Sequence, residues 1–294
     1  MVAGADPAVE AQPSGSDFSV RFWGVRGSIA CPGAEYQLYG GNTSCLEVRC
    51  GPHVLIFDGG TGLRPLGQHL MKAGGAVSDG NEIDIFLTHT HHDHIAGIPF
   101  FAPAFCGKSR IRFWAGHLKP EASLHDVLCK FMAAPLFPVP PAIFGADVNY
   151  RDFEAGEVLT PYPGVELQTA PLNHPNRATG YRINYDGRSI CYVTDTEHVS
   201  GERDGNVVAL IRDADLVIYD CSYTDDEYAE KYKGWGHSTW QEGLRLCEAA
   251  GAKRLAVFHH DPSHDDDFMD RITAEAQAVR SNTVVAREGM VLTP

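Results

Sequence analysis

Short apolar runs recur along the chain, and five of them end on a side chain able to hold a metal. Residues 54–57 (Val-Leu-Ile-Phe) run into Asp58 and residues 85–88 (Ile-Phe-Leu-Thr) into His89. Residues 190–194 run into Asp195, 216–219 into Asp220, and 255–258 into His259. Runs of this length, rich in β-branched and aromatic residues, predict strands. If the strands run the same way in packed sheets, their ends converge on one edge, where loops can vary without disturbing the core. Asp is common after strands, which accounts for one or two cases and leaves five poorly explained.

Other strands are predicted over 18–23, 43–49, 53–58, 110–115, 165–170 and 180–185. Helices are predicted over 63–72, from near His94, over 240–250 and over 267–280, with a Gly-rich loop at 73–81. Strands alternating with helices in two similar halves predict an α/β chain, an αββα sandwich. Residues 129–144 carry Pro135, Pro138, Pro140 and Pro141 among Met132, Phe137 and Phe144. That is too much proline for a helix or a central strand. It reads as an apolar flap, serving either as a substrate-selecting wall near the site or as a loop over a hydrophobic face.

Composition narrows the class. The 294 residues are 44% hydrophobic, enough for a sizeable core. Residues 1–17 are rich in Ala, Gly, Pro and Ser without Lys or Arg, which reads as a flexible tail rather than a secretory signal. Residues 18–294 then form one domain. No apolar run approaches the ~20 residues needed to span a bilayer, so no membrane is expected. Eight cysteines without a CxxC pair, several of them in apolar runs, point to reduced thiols and a cytoplasmic location. A net charge of −14 sets an unfavourable field for a large nucleic acid, and no Lys/Arg cluster forms a phosphate-tracking stripe. The expected partner is a small-molecule substrate, with no large nucleic acid; a homodimer is allowed.

The chemistry concentrates in His89-Thr90-His91-His92-Asp93-His94. Imidazoles and a carboxylate crowded together desolvate one another unless a cation binds them. Nitrogen and carboxylate donors without thiolate suit zinc, and iron or manganese less well. This HxHxDH pattern resembles the signature of the metallo-β-lactamase fold superfamily. The resemblance extends to Asp58 in Phe57-Asp58-Gly59-Gly60-Thr61-Gly62, to His174, to Asp195, and to His259 or His260. Gly236-His237-Ser238-Thr239, ahead of a helix and the last ligand strand, is similar to ribonuclease Z and its small phosphodiesterase relatives.

What the resemblance implies is specific. His89, His91 and His174 would bind one zinc, Asp93, His94 and His259 the other, and Asp195 both, with two Zn2+ as cofactors and Mn2+ or Fe2+ tolerated. A hydroxide between the metals would be the nucleophile. His91 stands where the di-iron oxygen-reducing branch has Glu. Asp93 and His237 are the catalytic candidates, His237 contacting substrate phosphate or assisting the leaving oxygen; its alternative reading is a residue flanking the Ser238-Thr239 helix cap. Asp58 and Asp220 would orient ligands, and His92 would stand aside. His53, His69, His117, His125 and His198 have no partners in sequence and read as ordinary surface or core histidines. Arg26-Gly27-Ser28 and Asn42-Thr43 resemble the group's N-terminal motif, with no role assigned beyond turn formation.

The leading reading is a dinuclear zinc phosphodiesterase acting on a small phosphodiester or cyclic nucleotide. A lactone, β-lactam or thioester hydrolase would share every ligand, and an activity panel would separate the two. A metal-stabilised binding protein without turnover is the third reading. Side chains alternate along a strand, so only one of His259 and His260 should point at the metals; the resemblance to ribonuclease Z, whose ligand is the first histidine after the strand, implies His259.

Overall fold

The computed structural model describes residues 17–73 and 82–294. The tail reading and most of the 73–81 loop fall outside the described residues. The chain folds into two seven-stranded mixed sheets with helices on their outer faces, the αββα sandwich. The first sheet takes β1 (Phe18–Gly24), β2 (Cys45–Cys50), β3 (His53–Phe57), β4 (Glu82–Leu87), β5 (Arg110–Ala115) and β6 (Asp147–Asp152). The second takes β7 (Val158–Tyr162), β8 (Val165–Leu172), β9 (Ala178–Tyr185), β10 (Arg188–Val193), β11 (Leu216–Asp220), β12 (Leu255–Phe258) and β13 (Val284–Val285). The last strand, β14 (Val291–Leu292), returns to pair with β1 in the first sheet.

Both sheets change pairing part-way. β1 to β3 are antiparallel neighbours, whereas β3, β4, β5 and β6 run parallel. In the second sheet β7 to β10 are antiparallel, and β10 to β13 are parallel. The central parallel strands β3, β10, β11 and β12 run apolar almost without interruption, as strands covered on both faces must, whereas β5 and the edge strand β6 do not. Within β12, Ala256 and Phe258 join the core between the sheets while Leu255 and Val257 pack outward. Within β4, Phe86 faces inward and Ile83, Ile85 and Leu87 outward. The helices covering the outer faces are α1 (Leu63–Ala73), α2 (His92–Ile95), α3 (Leu124–Phe131), α4 (Gly205–Leu210), α5 (Asp225–Glu227), α6 (Trp240–Ala250) and α7 (Asp266–Val279). None of the described helices is long and apolar enough to cross a membrane.

Several boundaries differ from expectation. α2 begins at His92, two residues earlier than expected, so His92, Asp93 and His94 all sit on its single turn. Residues 129–131 complete α3 rather than opening a flap, since the first proline comes only at 135 and Ser123 caps the helix through the Asp126 N–H. β6 differs from expectation because it is an edge strand without a buried residue, exposed and half-buried positions alternating along it.

One polar network lies inside β4. Asp84, fully buried, accepts two 2.7 Å bonds from Arg112, one of 2.7 Å from Trp114 and one of 2.5 Å from Tyr162. These partners explain the carboxylate as structural. Arg112→Ala leaves it buried without its cation and is expected to cost about 3–5 kcal/mol. Urea denaturation checks this: a midpoint near wild type would mean the carboxylate is solvated or protonated at little cost.

Candidate metal centre

The parallel strands bring their C-terminal ends to one edge, and Asp58, His89, Asp195, Asp220 and His259 meet there. Three of these turn on a left-handed backbone: Asp58 at φ 61°, Asp195 at φ 59° and His259 at φ 64°. Residues with a Cβ take this region at a cost. It lets the chain leave each strand sharply enough to aim the side chain across the sheet edge.

Two groups of donors face Asp195 from opposite sides. Oδ1 of Asp195 lies 3.7 Å from His89 Nε2 and 3.6 Å from His174 Nε2. Oδ2 lies 3.1 Å from His94 Nε2 and 3.3 Å from His259 Nε2. Asp93 Oδ2 completes the second group, 3.3 Å from His94 Nε2 and 3.5 Å from His259 Nε2. His91 completes the first, its Nδ1 3.0 Å from His174 Nε2. The seven expected residues therefore gather into two groups, His89-His91-His174 and Asp93-His94-Asp195-His259.

Four of the five imidazoles are held through Nδ1. His94 Nδ1 donates to Asp58 Oδ2 at 2.8 Å, and His174 Nδ1 to the Gly236 carbonyl at 2.7 Å. His89 Nδ1 lies 3.1 Å from Thr88 Oγ1, and His259 Nδ1 3.1 Å from Ser222 Oγ. Each hydroxyl passes its own proton to an aspartate, Thr88 to Asp58 and Ser222 to Asp220. This fixes which nitrogen is left free. Nε2 of His89, His94 and His259 is buried and has no hydrogen-bond partner. Three buried Nε2 atoms without partners, facing two carboxylates, form a site that a divalent cation fits and an uncharged core does not.

The electrostatics agree. Burial holds His89 well below the usual imidazole range, in the neutral form that binds metals. Burial works the same way on His94, but Asp195, Asp93 and Asp58 outweigh it and raise its pKa well above the usual range. Asp93 and Asp195 are buried, yet neighbouring imidazoles keep them well below the ordinary carboxylate range. The field in the cluster favours added positive charge.

His237 sits beside these groups, stacked on His259 with centroids 4.9 Å apart. Its Nδ1 is 3.0 Å from Asp220 Oδ2 and 3.8 Å from Asp195 Oδ1. Burial opposes its charge, but Asp220 and then Asp195 prevail and raise its pKa to about 9. Asp220 also receives the Thr196 and Ser222 N–H groups, so it is fixed before it meets an imidazole. The neighbouring Ser238 and Thr239 serve the fold: Thr239 caps α6, and Ser238 bonds His198 and Tyr219.

The remaining histidines separate cleanly. His260 points away, its Nε2 donating to the Ala286 carbonyl at 2.8 Å, and burial holds its pKa down to about 3. His92 is exposed and packs edge-on against Phe131 at 5.9 Å. His117 bonds Thr90 from a buried position, and His198 bonds Ser238. His53 stacks on Tyr162, His69 lies beside Trp23, and His125 beside Tyr150.

The Arg26-Gly27-Ser28 turn does more than reverse the chain. The Ser28 N–H donates to Asp93 Oδ2 at 2.7 Å, from a residue itself at φ 61°. The Gly27 N–H donates to the His260 carbonyl. Arg26, fully buried, reaches the Gly40 and His264 carbonyls at 2.8 and 2.6 Å and ties the loops on either side. Gly236 is likewise required: at φ 87° it lies so close to His174 that a Cβ would meet the ring at 2.7 Å. Thr88, Ser222 and Tyr192, whose O–H donates to Asp58 at 2.8 Å, are not expected from the sequence, and Ser28 stands there only as part of a motif without a role. Only the placement of Thr88 between a strand and His89 offered a signal.

With this geometry in hand, the comparisons are decisive about kinship. Residues 53–260 match the family described as the beta-lactamase superfamily domain. The chain belongs to the β-lactamase superfamily. It is similar to ribonuclease Z of Halorubrum lacusprofundi, 25% identical across 82% of this chain and 85% of the relative. Its fold is shared by the metallo-β-lactamase fold protein YhfI of Bacillus subtilis, with a TM-score of 0.71, 20% identity, and 94% and 99% of the two chains covered. Human tRNase Z, short form, gives a TM-score of 0.63 at 22% identity over 94% and 98%.

These relatives overturn one expectation. A net charge of −14 argued for a small-molecule substrate and against any large nucleic acid, yet a chain so similar is named a ribonuclease and a chain of the same fold is named a tRNase. Net charge averages over the whole surface, whereas a phosphodiester meets only the rim of one site.

A Cβ at Gly27 would lie 2.4 Å from the His259 ring. Gly27→Ala is expected to displace that ring and weaken divalent-metal binding at least tenfold while circular dichroism stays native. Wild-type affinity in a chelator competition would show that the loop yields instead.

Proposed function

We propose that this metal-dependent hydrolase cleaves phosphodiester bonds with two zinc ions. The observation that carries the reading is the split of Asp195, whose two oxygens each face a separate group of imidazoles while His237 stands beside both. His89, His91 and His174 would hold one ion, Asp93, His94 and His259 the other, and Asp195 both. The donor set of imidazole and carboxylate without thiolate favours zinc, with Mn2+ or Fe2+ next. Bound there, a zinc pair supplies Lewis acidity and a water nucleophile at neutral pH.

The rest falls to the protein. Asp58 and Asp220 hold the imidazoles so that their free nitrogens converge, and Ser28 steadies the Asp93 oxygen shared with His94 and His259. His237, oriented through Nδ1 by Asp220, has its other nitrogen available to a phosphoryl or leaving oxygen. With His237 placed to donate to a phosphoryl or leaving oxygen, and with relatives named ribonuclease Z and tRNase Z, phosphodiesters rank above lactones, β-lactams and thioesters. The phosphodiester is free to belong to RNA, in line with the names of the relatives. Six buried free cysteines, with Cys50, Cys191 and Cys247 pushed up to about 12 by burial, support a reducing, cytoplasmic setting.

Three outcomes test this reading. Purified, zinc-supplemented protein should carry about two zinc ions per chain by elemental analysis; one or none would overturn the pair. His259→Ala should lose one ion per folded chain and His260→Ala should keep both, and the reverse would move the ligand by one residue. His237→Ala should lower kcat and kcat/KM together on bis-p-nitrophenyl phosphate by ~10²–10⁴-fold with zinc retained. An unchanged rate would reduce His237 to a structural partner of Asp220.

A further inference from the structure

The loop that carries His237 also carries a ladder of aromatic rings leading outward. The buried Tyr223 ring lies 6.1 Å from His237. Tyr232, half-buried, stacks on Tyr223 at 4.1 Å with the planes 1° apart. Trp235 then meets Tyr232 edge-on at 5.5 Å, and it is 59% exposed.

The backbone beneath this indole is fixed. Glu197 accepts the Gly234 N–H at 2.5 Å and the Gly236 N–H at 2.9 Å, and it also receives the Tyr228 hydroxyl. The Trp235 N–H itself donates to the Tyr232 carbonyl at 3.1 Å. Gly236 in turn anchors His174, so the same short loop aims one cluster imidazole, carries His237 and holds an indole in solvent. An indole left in water contributes little to folding, whereas a rigid aromatic face is inexpensive in entropy to bind against. Lys231 and Lys233 are exposed on the same segment, and Lys231 Nζ lies 4.6 Å over the Tyr232 ring and bonds its hydroxyl. Aromatic faces interleaved with cations match what a nucleotide offers, a flat base joined to a phosphate.

We propose that Trp235, backed by Tyr232 and Tyr223, is a stacking platform for a nucleobase adjoining the scissile phosphate, with Lys231 and Lys233 supplying positive charge beside it. The proposal rests on the phosphodiesterase reading and gives it a substrate class: nucleotidyl esters, in RNA or free. Stacking of this kind tolerates any base, so the platform selects nucleotides without selecting sequence.

Two measurements on the full-length, zinc-loaded protein test it. The first compares thymidine 5′-(p-nitrophenyl phosphate) with methyl p-nitrophenyl phosphate, which share a leaving group and differ in the nucleoside. Trp235→Ala should raise KM for the thymidine ester ~5–100-fold with little change in kcat, leave the methyl ester unchanged, and be largely rescued by Trp235→Phe. An equal change for both esters, or none for either, overturns the platform. The second measurement titrates adenosine 5′-monophosphate against tryptophan fluorescence and needs no turnover. The other three tryptophans, Trp23, Trp114 and Trp240, are half-buried or buried, so saturable quenching should be present in wild type and absent in Trp235→Phe. If neither ester is hydrolysed, the phosphodiesterase reading fails and the titration alone decides the platform: quenching that Trp235→Phe abolishes sustains it, and its absence overturns it.

Discussion

The site depends on two buried aspartates that need not touch a metal. Asp58 leaves β3 and Asp220 ends β11, the two carboxylates lie in opposite sheets, and both are wholly buried. Each accepts a backbone N–H from the residues that follow the neighbouring parallel strand, Thr88 for Asp58 and Thr196 for Asp220. Each accepts a hydroxyl, and each then takes the Nδ1 of an imidazole, His94 in one half and His237 in the other. A carboxylate satisfied by several donors can stay ionised in the interior, where an unpaired one cannot. Once fixed, it fixes the tautomer and the direction of the ring beyond it. Repetition of the device in both halves is what turns two sheet edges into one constellation.

That constellation is unfavourable without a cation, and the backbone shows it. Asp58, Asp195 and His259 all hold left-handed φ, at roughly 1–3 kcal/mol each. Three buried Nε2 atoms have no hydrogen-bond partner, at a comparable cost each. Folding alone gains nothing from such a concentration. A divalent ion held between imidazole nitrogens and carboxylate oxygens offsets both costs, which links metal affinity to the stability of this edge.

How much of this was legible follows from what each feature depends on. The strand ends were legible because buried parallel strands write themselves as unbroken apolar runs, and the residue after each run is where a loop can place chemistry. Strand alternation allowed only one of His259 and His260 to face the metals, and the resemblance to ribonuclease Z pointed to His259. The structure places His259 with Asp93, His94 and Asp195 because its left-handed turn aims it there, and it sends His260 to the Ala286 carbonyl. Glu197, Ser222 and Ser28 were illegible because they act through contacts 37, 37 and 65 residues away in sequence. No local pattern marks the hydroxyl of Ser222, which donates to Asp220 two residues away while meeting the His259 ring 37 residues on. Arg26-Gly27-Ser28 was visible as a motif and opaque as a function, since the reason for its glycine is the His259 ring that packs against it.

Net charge misleads about the partner for a related reason. Net charge is a sum over the surface, and it governs encounter at distances beyond the Debye length of about 8–10 Å poorly when local groups differ in sign from the average. Part of the acidic total here is Asp58, Asp84, Asp93, Asp195 and Asp220, all buried and all engaged by cationic or hydrogen-bonding partners. Such carboxylates project little field into solvent. What an approaching phosphodiester meets is the rim, where the exposed Trp235, Lys231 and Lys233 share the segment that leads to His237. Recognition of an anion therefore follows from which charges face water beside the site, and the total over the whole surface does not report them.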